Sequence, residues 1–87
     1  MNDPLSRIAA TERKLAEACR ESGVRLSADG RVSEMVAAGL LGLAPGTLKN
    51  RRCEGAAPPH YQLAGRGGKI SYSLHDLATF IESLRCG

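Results

Sequence analysis

The sequence predicts a mainly α chain with one small β-hairpin, an α+β fold. Three observations carry that expectation. In the final segment Leu77, Phe80, Ile81 and Leu84 recur at i, i+3, i+4 and i+7, the stripe of an amphipathic helix. In the middle, Gly42 and Pro45 bracket a short turn, and Pro58-Pro59 forces an extended path beyond Gly55. Two period-2 runs, Tyr61-Gln62-Leu63 and Ile70-Ser71-Tyr72, then flank the glycine-rich, basic stretch from Ala64 to Lys69, the pattern of a hairpin.

The elements follow in order. Asp3 is placed to cap a first helix with Pro4 at its first position, where the missing N–H costs nothing. Leu5, Ile8, Leu15 and Cys19 give that helix a thin apolar stripe, Arg13, Lys14, Glu17, Arg20 and Glu21 give it a solvated face, and Gly23 ends it. The stripe can be covered by the rest of the chain or by a second copy, so the helix over 4–22 is also the candidate dimer contact. Val24 to Ser33 reads as a connector with short strand character, turning at Ala28-Asp29-Gly30. Ser33 caps the next helix, which offers Ala37, Ala38, Leu40 and Leu41 for burial and stops at Gly42. Pro45 opens another helix that runs to about Glu54. After the hairpin, Ser73 and Asp76 form a capping-box-like pair at the start of the last helix. The hairpin's Tyr61 and Tyr72 are expected in the core with their hydroxyls at the surface.

At 87 residues and 43% apolar content, the chain is one small domain with material for a core but not for a deep catalytic cleft. A binding module, not an enzyme, is the expectation. Ser73, His75 and Asp76 lack nucleophile–base spacing and are better explained by helix capping. Phe80, Tyr61 and Tyr72 are the only aromatics, too few for a platform that stacks single-stranded bases. Cys19, Cys53 and Cys86 are widely spaced without a C-x-x-C pair, and with His60 and His75 they suggest neither a disulfide framework nor a metal site, so no cofactor is expected. No signal peptide or membrane-length apolar run is apparent, which points to the cytoplasm.

Charge is unevenly placed. Residues 1–43 carry six basic and six acidic side chains, whereas residues 44–75 hold Lys49, Arg51, Arg52, Arg66 and Lys69 against Glu54 alone. Clustering of this kind is the footprint of a surface that meets phosphates.

In its order of helix, tight turn, helix, Pro-Pro, hairpin and closing helix, the chain from Val32 to Leu84 resembles the winged helix-turn-helix domains of the excisionase and AlpA-like group, relatives of the MerR DNA-binding domain. The residues that carry the resemblance are Ala37-Ala38, Leu41-Gly42-Leu43-Ala44-Pro45-Gly46-Thr47-Leu48, Glu54-Gly55, Pro58-Pro59, Tyr72-Ser73-Leu74-His75-Asp76-Leu77 and Phe80-Ile81. The resemblance implies a winged helix-turn-helix over 32–87 preceded by an N-terminal helix and connector over 1–31. It makes residues 45–54 a recognition helix for the major groove and residues 64–69 a wing for the backbone or minor groove. Ala38 would let the two helices approach, Gly42 would take positive φ, and Leu43 with Leu48 would face the core.

On a helical wheel Gly46, Lys49, Asn50 and Cys53 lie opposite Leu48 and would face the groove. Asn50 can make paired hydrogen bonds to an adenine edge, and Lys49 can reach a guanine edge or a phosphate. Arg51 and Arg52 flank Leu48 and are expected to hold phosphates. Gly46 would admit the backbone close to the helix N-terminus. With Thr47 beside it and Arg66 and Lys69 on the wing, the expected DNA-contacting set is Gly46, Thr47, Lys49, Asn50, Arg51, Arg52, Arg66 and Lys69. Two positions depart from the group: Arg51 stands where a large apolar residue is common, and Ala44 where a hydroxyl usually caps the helix.

The function implied is sequence-specific binding of duplex DNA, as a small transcriptional regulator or an excisionase-like recombination factor. RNA polymerase or a recombinase would be the protein partner, and a homodimer or cooperative oligomer would strengthen binding by so small a module. A protein-interaction adaptor on the same fold is the competing expectation. The DNA-recognition part of a phage terminase small subunit is a third, which would bring a long C-terminal oligomerisation region.

Overall fold

The computed structural model describes residues 3–63 and 68–85. In chain order the elements are α1 (Pro4–Glu21), β1 (Arg31–Ser33), α2 (Glu34–Leu41), α3 (Pro45–Cys53), β2 (Tyr61–Gln62), β3 (Ile70–Ser73) and α4 (Leu74–Ser83). The fold is α+β, with helices dominating and a small antiparallel sheet in the order β1-β3-β2.

Local chemistry sets most of these boundaries. Asp3 caps α1 by accepting from the Ser6 backbone N–H at 2.9 Å, Ser33 caps α2 through Val36 and Ser73 caps α4 through Asp76. These side-chain oxygens satisfy donors that a helix start leaves without intrahelical partners. At the other end of α2, Gly42 sits at φ 76° and the Leu43 N–H reaches back to the Ala38 carbonyl at 2.8 Å. Gly55 repeats the arrangement after α3, at φ 77° with Ala56 N–H on the Arg51 carbonyl. Both are left-handed helix stops that a Cβ disfavours.

The sheet carries one addition to the hairpin expectation. The connector after α1 delivers the strand β1, whose Val32 lies opposite Tyr72 on β3. Val32 and Tyr72 are both buried, so this pair forms the sheet's contribution to the core. Leu15 and Cys19 from α1, Ala37 and Ala38 from α2, Leu48 from α3, and Leu74, Leu77 and Ala78 around α4 complete it. The two adjacent alanines are fully buried, which lets α2 approach its neighbours with little side-chain bulk between them.

The stripe of α1 is covered within the chain, because α1 packs along α4 and buries Leu15 and Cys19 there. Only Leu5, at the start of the stripe, stays exposed. A boundary at residue 31 therefore does not separate two packing units: it runs through β1, and Arg31 pairs with Ser73. Leu84, the last residue of the α4 stripe, is also exposed, since it lies past the helix end.

Candidate nucleic-acid interface

One side chain of helix α3 enters the core. Leu48 is fully buried, and around it Gly46, Thr47, Lys49, Asn50, Arg51 and Cys53 are all exposed. This division follows from the wheel, since a nine-residue helix with one apolar position can bury only one line of its surface. Pro45 begins the helix, Ala44 occupies the N-cap, and no side chain caps it. Pro45 has no N–H and the Thr47 and Leu48 N–H groups donate to the Ala44 carbonyl at 3.0 and 3.2 Å, so the N–H of exposed Gly46 is the first-turn donor left without an acceptor among the described residues. Such a terminus favours an anion.

Among the described residues, Lys49, Arg51 and Lys69 form no ion pair. Lys69 is exposed just before β3, on the hairpin. Arg66, the other expected wing cation, lies outside the described residues, as does Cys86.

Arg52 has a partner within the chain. Instead of standing free at the rim to hold a phosphate, it turns inward: Nε donates to Glu34 Oε2 at 2.7 Å and Nη2 to Oε1 at 3.1 Å. The Tyr72 hydroxyl donates to the same Oε2 at 2.8 Å. The physical reason is a carboxylate at the start of α2 that the fork of a guanidinium fits with two parallel bonds. The Arg52 hydrogen bonds hold the Glu34 carboxyl below its usual range, against a desolvation that pushes the other way. Burial, with the Glu34 carboxylate second, pushes the Tyr72 phenol well above its usual value. The Tyr72 hydroxyl thus points into the molecule and not to the surface. Nothing in the sequence near Arg52 announces this partner, which lies 18 residues away on another helix.

Tyr61 also departs from expectation. It is 48% exposed, with the Arg31 guanidinium 5.1 Å from its ring centroid. It belongs to a two-residue edge strand, and its register partner Ser71 faces away from Tyr72, so the ring stacks on the outer face of the sheet.

Arg51 borders an open groove whose apolar wall is Leu40, Leu41, Leu43, Phe80, Ile81 and Leu84.

No family model, curated protein or solved structure matches the chain.

Among the described residues, no three histidine, cysteine or acidic side chains are grouped to hold a metal ion. The Ser73 hydroxyl accepts from Asp76, while His75 Nδ1 lies 3.0 Å from Glu12 on α1, so these polar side chains serve separate neighbours. No helix among the described residues is long and apolar enough to cross a membrane. What α3 offers chemically is a short, cationic, hydrogen-bonding surface beside an open helix N-terminus.

Proposed function

We propose that this chain binds duplex DNA in a sequence-dependent way as a winged helix-turn-helix, with α3 in the major groove and the hairpin on the adjoining backbone or minor groove. The observation that carries the reading is the surface of α3: Leu48 is its anchor, and Lys49, Asn50 and Arg51 are exposed with no ion pair among the described residues. Lys49 and Asn50 are the base-reading pair. Gly46 and Thr47 bring the helix N-terminus to a phosphate, and Arg51 with Lys69 adds backbone contacts. Arg52, already engaged by Glu34, is left out of the contacting set. The biological role follows as a small transcriptional regulator or a recombination factor of the excisionase kind, acting in the cytoplasm with RNA polymerase or a recombinase.

The test is a fluorescence anisotropy titration of the chain with random-sequence duplex over a range of salt. Affinity should fall steeply as salt rises, each phosphate contact contributing about 0.9 to the log–log slope. A flat response would sink the reading. On a duplex selected from a random pool, Asn50→Ala should flatten the preference at one position by about 1 to 3 kcal/mol, whereas Lys69→Ala should weaken all sequences alike.

One observation favours the adaptor as a second reading. The leucine-walled groove beside Arg51 is open, and an apolar protein segment could occupy it. Substituting Leu84, exposed at its edge, should leave duplex affinity unchanged in either case.

A further inference from the structure

One carboxylate joins three elements. Glu34 opens α2, Arg52 lies in the last turn of α3, and Tyr72 is the fully buried residue of the sheet's central strand. The two charged side chains are 19% and 18% exposed, so the pair is shielded from most of the solvent that weakens a surface ion pair. Tyr72 is fully buried in the core, and its hydroxyl donates to the Glu34 carboxylate, giving that carboxylate a fixed partner. The carboxylate in turn fixes both the position and the plane of the Arg52 fork.

Lys49 and Asn50 belong to the same turn as Arg52. Rotation of that turn about the helix axis moves all three side chains together, and Leu48 alone is a single pivot that does not prevent it. We infer that Glu34 is a positioning residue for α3, one that fixes the rotation at which Lys49 and Asn50 are presented and withholds Arg52 from phosphate. The functional half of this inference rests on the DNA-binding reading above, whereas the tether itself stands without it.

The two halves give different signatures from a purely structural ion pair. In Glu34→Gln the side chain keeps its shape and an acceptor for Tyr72 but loses the charge that holds Arg52. Backbone amide exchange on the intact chain should accelerate about tenfold at Lys49 to Cys53, while α4 amides from Leu77 to Ile81 stay unchanged. Equal acceleration in α3 and α4 would mean a general loss of stability and would overturn the tether. Arg52→Lys, which keeps the charge and gives up the fork, is the second variant and should show the same local acceleration.

With DNA the expected changes oppose one another. Freed Arg52 should raise the affinity of Glu34→Gln for random duplex and steepen the salt slope by about 0.9. The preference for a selected site over random duplex should fall about tenfold, because the reading turn is no longer held. Arg52→Gln should lose the same preference without gaining slope. An unchanged slope and preference in Glu34→Gln overturns the positioning role. Absence of any salt-dependent affinity in the unmodified chain would instead count against the DNA reading, and the exchange measurement would still decide the tether.

Discussion

Thr11 on α1 donates a hydrogen bond of 2.8 Å from its hydroxyl to Glu82 Oε2 on α4, across 71 residues of chain. Arg7 and Arg85 approach the other oxygen of the same carboxylate at 3.3 and 3.1 Å. The Thr11 hydrogen bond first, and then Arg85 and Arg7, hold Glu82 below the usual carboxylate range. The first helix is thereby part of the domain's frame and not an appendage.

This coupling predicts that damage to α1 is felt by the whole domain. Leu15→Ala, which empties a buried position between α1 and α4, should cost about 2 to 3 kcal/mol in urea unfolding, the lower part of the range for core truncations. The transition should remain single, with α1 helicity lost together with the rest. Thr11→Val should lower the melting temperature as well, by less. A separate early transition for α1 would contradict the packing.

The turn before α3 gives a second prediction. Gly42 has φ 76°, and a Cβ built there meets nothing within 4 Å. Gly42→Ala should therefore cost only the backbone strain, roughly 1 to 2 kcal/mol. Gly42→Asn should cost less, since asparagine tolerates that region better. Chemical denaturation of the three proteins orders them directly.

Ala44 offers the opposite sign. Ala44→Ser supplies the cap that α3 lacks and should stabilise by about 1 kcal/mol, seen as a higher denaturation midpoint with an unchanged slope. If the N-terminus of α3 meets a phosphate, the same change should not strengthen duplex binding, because the serine hydroxyl now competes for the first-turn N–H.

A fourth prediction concerns acid. Arg52 holds the Glu34 carboxyl below its usual range. A carboxyl with a depressed folded-state value adds stability that is fully present above its unfolded value, about 4.3, and is lost as pH falls through the folded value. The melting-temperature gap between the unmodified chain and Glu34→Gln should thus be constant from neutral pH to about 5 and close below about 4. Asp3, Asp29 and Glu82 are depressed too and weaken both proteins in the same range, so the gap isolates Glu34. A gap that widens in acid would reverse the assignment.

Much of the fold was legible because its signals are local. Asp3, Ser33 and Ser73 cap donors three residues ahead, and Gly42 and Gly55 close bonds to carbonyls five residues before the next residue. Leu48 could be placed inward because it is the one large apolar side chain in α3. The candidate site was legible to the same depth: the exposure of Lys49, Asn50 and Arg51 follows from their angle to Leu48. The fate of Arg52 was not, because its angle alone suits either a phosphate outside or a carboxylate inside. The exposure of Tyr61 is hidden from the sequence for a related reason. Alternation says which residues share a face, and only the pairing of β2 with β3 says which face is covered.

By itself, then, the sequence determined where helices start and stop, that the middle of the chain is its basic part, and which residue of α3 must be buried. Each depends on interactions within a few residues or on simple counting of charge. The tertiary structure alone decided that the short strand in the connector after α1 pairs with β3, that α1 spends its apolar stripe on α4, and that Glu34 captures Arg52 and Tyr72. Those outcomes depend on contacts between residues far apart in the chain, whose geometry exists only once the helices and the sheet have packed.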